Sequence, residues 1–212
     1  MLAIIDYGMS NLRSVRHAFE YLGAEARIVD SPREVERARA LVLPGDGAFG
    51  PAMENLNAFG WLEPFYAAIA RGVPFLGICL GMQLLFETSE ENGAHQGLGI
   101  LRGSVKKFPR AAGKIPQIGW NQLQIKSSSR FLAGVSQNAF AYFVHSYYCD
   151  ARDENVIAAR TEYGVSYASV VEAGNVWGAQ FHPEKSGADG LTMLRNFLAL
   201  AAGETAELRP ET

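Results

Sequence analysis

Cys79 lies in Gly77-Ile78-Cys79-Leu80-Gly81, where a continuous apolar run over 73–78 gives way to a helical stretch over 82–86. Small residues on both sides permit a sharp strand-to-helix turn that pushes a nucleophile out of a sheet, with cysteine in the place serine takes in such elbows. The turn sets the thiol at a helix N-terminus, whose partial positive charge favours thiolate over thiol. A free thiol ionises near pH ~8.5, so chemistry at neutral pH needs help of this kind. The alternative is a small buried packing residue, the common state of free cysteine. Cys149 has no such bracket and reads as packing.

A second group is Gln180-Phe181-His182-Pro183-Glu184, at the end of a strand over 176–181. Pro183 keeps the segment extended, so His182 and Glu184 can project to one side of a strand end. A thiol nucleophile needs a base to take its proton, and the base needs a third group to fix its tautomer; a His-x-Glu pair can supply both. The alternative is an ordinary surface pair. The third group is the loop Gly45-Asp46-Gly47-Ala48-Phe49-Gly50, which matches GxGxxG between a strand and a helix. A dinucleotide fingerprint opens the first βα unit and pairs with an acid at the end of the next strand, whereas here the next strand ends in Gly77 and Cys79. The competing reading is an oxyanion hole whose backbone N–H groups approach a tetrahedral intermediate at Cys79, with no cofactor.

These groups need a scaffold that brings strand ends together. The apolar run over 2–6 ends at Tyr7-Gly8, with Ser10 as N-cap and Leu12, Val15, Phe19 and Leu22 at helical spacing until Gly23. A strand over 26–29 precedes Ser31-Pro32-x-Glu34, which combines an N-cap, a first-turn proline and a capping-box acid. The strand over 41–43 enters the glycine loop, and a helical stretch carrying Met53, Leu56, Trp61, Leu62, Phe65 and Ile69 runs to Gly72. The run over 73–78 then suits a sheet covered on both faces. This alternation predicts an α/β fold, a parallel sheet with right-handed crossovers. From Leu98 the chain turns β-rich, with strands over 99–108, 115–125, 139–149, 156–163, 166–171 and 176–181 and a hairpin turn at Ala173-Gly174-Asn175. A final amphipathic helix carries Leu191, Leu194, Phe197, Leu198 and Ala201. Residues 1–202 read as one domain and 203–212 as a polar tail that frays.

Composition narrows the function classes. The 212 residues carry 19 Lys+Arg against 22 Asp+Glu, a net charge of −3, with no basic block to hold a nucleic acid or an anionic membrane by bulk charge. The two cysteines form neither a disulfide framework nor a CxxC metal pair, and no apolar run approaches the ~20 residues of a membrane span. The apolar start over 2–5 is too short for a signal peptide, so the expected compartment is the cytoplasm. Glycine is 22 of 212 residues, without any low-complexity stretch.

Leu43-Pro44-Gly45-x-Gly47, Gly77-Ile78-Cys79-Leu80-Gly81-Met82-Gln83 and Phe181-His182-Pro183-Glu184, in that order, resemble the three motifs of the class I, triad-type glutamine amidotransferases. Ile5-Asp6-Tyr7-Gly8-Met9-x-Asn11-Leu12-Arg13-Ser14-Val15, Pro116-x-x-Gly119-Trp120-Asn121 and Phe143-Val144-His145-Ser146-Tyr147 resemble, within that family, the glutaminase subunits of imidazole glycerol phosphate synthase.

The resemblance implies a mixed, mainly parallel sheet flanked by helices. It implies Cys79 as nucleophile, His182 as general acid and base, and Glu184 as its orienting partner. The backbone of Asp46 and Gly47 with the N–H of Leu80 would form the oxyanion hole; Gly45, Gln83, His145, Ser146 and Tyr147 would hold glutamine. No metal or cofactor is implied. The implied partner is a cyclase subunit with a (β/α)8 barrel, forming a heterodimer, which takes the ammonia to make imidazole glycerol phosphate and aminoimidazole carboxamide ribotide in histidine biosynthesis. Asn11, Trp120, Tyr142 and Lys185 match positions at or near that interface. The rival readings are a glutaminase serving another ammonia acceptor and a non-catalytic binding protein on the same fold. Two residues depart from the family pattern. Gln117 stands where a histidine is usual, and Asp46 where an apolar residue is common; its carboxylate must point away from an oxyanion.

Overall fold

The structure, a computed structural model, describes residues 1–9, 11–126 and 129–203. The chain runs β1 (Leu2–Ile5), α1 (Leu12–Tyr21), β2 (Ala26–Val29), β3 (Ala40–Gly45), α2 (Phe49–Ala58), α3 (Leu62–Ala70), β4 (Phe75–Cys79), α4 (Leu80–Gln83) and β5 (Phe86–Ser89). It continues through β6 (His95–Gln96), β7 (Leu101–Lys107), β8 (Gln117–Gln122), β9 (Gln124–Ile125), β10 (Phe140–His145) and β11 (Tyr147–Ala151). Last come β12 (Ile157–Glu162), β13 (Ser166–Ala173), β14 (Val176–Ala179) and α5 (Gly187–Ala202).

The main sheet has the order β2-β1-β3-β4-β14-β13-β11-β7-β5-β6. The half from β2 to β14 is parallel, β14 to β7 is antiparallel, and β5 pairs parallel with β7. β12 and β9 extend from β13, while β8 and β10 form a separate antiparallel ribbon. Apolar strands with both faces buried, such as β1, β3 and β4, require helices on both sides. One core packs Phe49, Trp61, Phe65 and Phe75 with α2 and α3; the other packs Phe19, Trp177, Phe181 and Phe197 with α1 and α5. Each such side chain, fully buried, stabilises the fold by roughly 1.5–3 kcal/mol.

Several elements differ from the sequence expectation, each for a local reason. The helical stretch before Gly72 is two helices, broken at Gly60 (φ +75°) so that the buried Trp61 can stack on Phe65 at 5.7 Å. The helix after Cys79 is the four-residue α4, and Phe86 opens a strand instead. Residues 98–101 take over the carbonyls that would continue the helix: Leu98 N–H donates to Leu84 O (2.8 Å) and Ile100 N–H to Leu85 O (2.9 Å). The Ser31-Pro32 signal opens a 3-10 helix, Pro32–Arg37, without a side-chain cap. The strand expected over 139–149 divides at Ser146, its halves joining different sheets. Gly174 (φ +60°) begins the expected two-residue turn, with Ala173 paired to Val176. The Ser10 cap, most of the 127–129 loop and the tail beyond Gly203 lie outside the described residues. Among the described residues no helix is long and apolar enough to cross a membrane.

Candidate active site

The sheet order brings the three motifs to one edge. β3, β4 and β14 are adjacent and parallel, with Gly45 beside Cys79 and Ala179 beside Ile78, so the glycine loop, the cysteine and the His-x-Glu segment all leave from carboxyl ends of neighbouring strands. Cys79 turns the chain there with φ 55° and ψ −112°, a conformation costing a non-glycine residue about 1–3 kcal/mol. Neighbouring backbone holds the elbow in that state. A Cβ on Gly77 would lie 2.6 Å from the Gly81 carbonyl oxygen, and one on Gly81 would overlap the Leu43 carbonyl. Both brackets are therefore glycine by close packing. With α4 a single turn, the charged group beside the sulfur is a side chain, His182.

His182 Nδ1 lies 2.8 Å from Glu184 Oε1, and the Glu184 side chain is 2% exposed. Burial pushes the imidazolium down, but hydrogen bonding and charge from Cys79 and Glu184 outweigh it and raise the pKa from 6.5 to about 10. The ring is thus held protonated between the Cys79 sulfur and the Glu184 carboxylate. Its backbone is also fixed: His182 N–H donates to Tyr142 O (3.0 Å), and the Ser186 hydroxyl donates to His182 O (2.6 Å) while accepting from Tyr142 N–H (3.0 Å).

Cys79 and His182 open into a cavity of about 260 Å³, also lined by Asp46, Gly47, Leu80, Gln83, Glu91, Val144, His145, Ser146 and Tyr147. Gln83 donates through Nε2 to Tyr147 O (2.9 Å) and Gln180 Oε1 (3.2 Å), which leaves its carbonyl oxygen for a ligand. His145 is held from behind: Nδ1 is 2.8 Å from Tyr147 O, Nε2 is 3.4 Å from the Tyr167 hydroxyl, and burial lowers its pKa from 6.5 to about 4. That neutral ring shapes the 145–147 backbone. Gln117 belongs to the same buried group, accepting from the Tyr167 hydroxyl at 3.0 Å, so this departure sits inside the protein and off the exposed face. Asp46 is exposed, and its N–H donates to Met9 O at 3.3 Å. Gly45 is buried beside Tyr7 and Leu80.

Sequence reasoning missed Glu91. Its Oε2 accepts from Phe49 N–H (2.8 Å) at the first turn of α2, which ties the pocket wall to the end of the glycine loop. Glu91 falls in a segment with no periodic pattern, and its signal exists in three dimensions alone. Cys149 lies fully buried on β11, its thiol directed at Gln180 Oε1 (3.7 Å) and pushed up by burial and by Cys79.

Trp120 and Tyr142 face each other across the β8–β10 ribbon with ring centroids 6.1 Å apart. The same face presents Ile118, Phe140 and Val144, and Trp120 is 57% exposed. Asn11 and Lys185 are exposed at the start of α1 and just after Glu184.

Residues 3–201 match the family model of glutamine amidotransferase class-I. The chain is 49% identical over 197 residues to the imidazole glycerol phosphate synthase subunit HisH of Desulfitobacterium hafniense strain Y51, covering 93% of each chain. It is 49% identical to the HisH subunit of Geobacillus kaustophilus, covering 96% of this chain and 98% of that protein. Among solved structures, a chain of PurLQS from Thermotoga maritima aligns with a TM-score of 0.75 at 21% identity over 94% of this chain and 97% of that one, a likeness of fold. A domain-wide family match, high identity to HisH subunits and strand ends that assemble the three motifs agree: the chain belongs to the class I glutamine amidotransferases, among the HisH subunits of imidazole glycerol phosphate synthase.

Proposed function

We propose that Cys79, His182 and Glu184 hydrolyse the side-chain amide of L-glutamine to glutamate and ammonia. The observation that carries this reading is the protonated His182 held between the Cys79 sulfur and a buried carboxylate at a cavity mouth. The Cys79 sulfur adds to the amide carbon of glutamine, and negative charge develops on the carbonyl oxygen. Backbone N–H groups of Asp46 and Gly47, with that of Leu80, stabilise it. The C–N bond then breaks as His182 gives its proton to the leaving nitrogen, releasing ammonia and a glutamyl thioester. Water adds to the thioester, its proton goes to His182, and glutamate leaves with the thiolate restored. The free carbonyl of Gln83, the carboxylate of Glu91 and the backbone of 145–147 suit the amino-acid end of the substrate, with Gly45 giving the loop room.

The ammonia acceptor would be a cyclase subunit with a (β/α)8 barrel, seated on the sheet edge that carries the site. The exposed apolar ribbon face supports this, since five large apolar or aromatic side chains gathered beside a polar cavity mark an interaction surface. Asn11 and Lys185 would sit at or near the same contact. Glutamate release measured with and without the cyclase subunit and its ribonucleotide substrate tests the proposal. The expected result is low activity alone, strong stimulation by the partner, and none in Cys79→Ala with folding intact. Glutamate release by Cys79→Ala would overturn it.

A further inference from the structure

Tyr7 follows β1, the strand beside β3, so it lies against the loop that β3 feeds. The ring is fully buried, and among the described residues its hydroxyl has no hydrogen-bond partner. A buried hydroxyl left unpaired costs about 1–3 kcal/mol, a cost phenylalanine would avoid. The backbone that carries the ring is fixed in place: the Tyr7 carbonyl accepts from Asn55 Nδ2 (3.0 Å), and Gly8 N–H donates to the Asp6 carboxylate (2.9 Å). It touches Gly45 so closely that a Cβ there would overlap it. Burial first, then the charges of Asp46 and Cys79, push the phenol far up, so it stays a donor.

The next residues hold the same loop one peptide further on. Asp46 N–H donates to Met9 O, and Met9 Cε lies 2.7 Å from where a Cβ on Gly47 would stand. An Asp46 N–H engaged with Met9 cannot also face an oxyanion. Releasing it requires the Gly45–Asp46 peptide to turn, and the turn swings the Gly45 carbonyl toward the side that the N–H leaves. That side is protein, so the carbonyl needs a donor there. The unspent donor in contact with Gly45 is the Tyr7 hydroxyl.

We propose that Tyr7 is a positioning residue for the oxyanion loop, its hydroxyl donating to the Gly45 carbonyl when the Asp46 N–H faces the substrate. The proposal rests on the assignment of that N–H to the oxyanion hole. The test is Tyr7→Phe, assayed in complex with the cyclase subunit and its ribonucleotide substrate. Expected are a fall in kcat for glutamate release of about 3- to 10-fold, the scale of one neutral hydrogen bond, and a KM for glutamine unchanged within about twofold. The Tm should stay level or rise, because an orphaned hydroxyl is gone. The rate of Cys79 alkylation by iodoacetamide, which needs no oxyanion hole, should hold. A kcat equal to wild type overturns the proposal, and so does a fall accompanied by a lower Tm or slower alkylation, which marks a structural role. Wild-type complex with no Cys79-dependent glutamate release overturns the glutaminase reading and this inference with it; active wild type with an equally active Tyr7→Phe removes this inference alone.

Discussion

Glu184→Gln keeps the shape of the side chain and removes its charge, so it isolates what the carboxylate does for His182. The bond is 2.8 Å long on a side chain 2% exposed, so solvent screens it little. A charge-assisted hydrogen bond contributes about 1.5–3 kcal/mol, and 1.36 kcal/mol corresponds to one pH unit. The imidazolium, at about 10 in the parent, should therefore titrate about one to two units lower in the variant. Its folded pKa lies above the ordinary 6.5, so the stability it contributes is fully present below pH 6.5 and is lost as pH rises through about 10. The proton for the departing ammonia is lost over the same range. In the complex, the alkaline limb of glutamate release should move from about 10 to between about 8 and 9, with kcat/KM at pH ~10 lower by about 5- to 50-fold and little changed at neutral pH. The variant's Tm should lie below the parent's at neutral pH, and the gap should close as pH rises through about 10. An alkaline limb left in place, with kcat/KM unchanged, would refute the role of Glu184 as partner to an imidazolium.

Trp120→Ala should raise the Kd for the cyclase subunit by about 100- to 400-fold in titration calorimetry. A Trp of ~250 Å² that is 57% exposed has about 140 Å² to bury, roughly 3.5 kcal/mol, while the isolated chain's Tm should hardly move. Gly77→Ala places a Cβ 2.6 Å from the Gly81 carbonyl oxygen; overpacking of about 2–3 kcal/mol should lower Tm by about 5–10 °C and distort the elbow, read by thermal melts and by loss of Cys79 alkylation. Cys149→Ala should keep kcat within about twofold, and mass spectrometry after iodoacetamide treatment of the parent should find one modified thiol, Cys79.

The parallel half of the sheet was legible because its strands are continuous apolar runs bounded by glycine, a pattern that identifies fully buried strands and their order along the chain. Strand adjacency was not. That β14, the last strand, inserts beside β4 is a long-range pairing, and without it the His182 segment has no assigned neighbour. The motif residues were legible by type, since Gly77, Cys79 and Gly81 form an elbow wherever the strand ends. The helix expected over 82–86 failed because local spacing cannot register the backbone of 98–101, which claims the Leu84 and Leu85 carbonyls. Gln117 departs from the family pattern in the same motif as Trp120, and the motif alone does not say which face it joins. Strand alternation turns Gln117 inward toward Tyr167 while Ile118 and Trp120 face out.

Strand β10 bears on three functions at once. Its outward residues Phe140, Tyr142 and Val144 form half of the apolar face proposed to receive the cyclase subunit. Its backbone at Tyr142 accepts from His182 N–H and donates to the Ser186 hydroxyl that also grips the His182 carbonyl. Its end, Val144 and His145, lines the cavity and leads into Ser146 and Tyr147. A partner pressed against Trp120 and Tyr142 would therefore act on the backbone that sets His182, within one hydrogen bond of the contact. Among the described residues the proposed oxyanion loop has no such direct tie: it is held by Met9 and Tyr7 on one side and by Glu91, through Phe49, on the other. Stimulation by the proposed partner would have a short route to His182. For the proposed oxyanion hole a second route would run through the contacts that Tyr7 and Met9, just after β1, make with Gly45, Asp46 and Gly47.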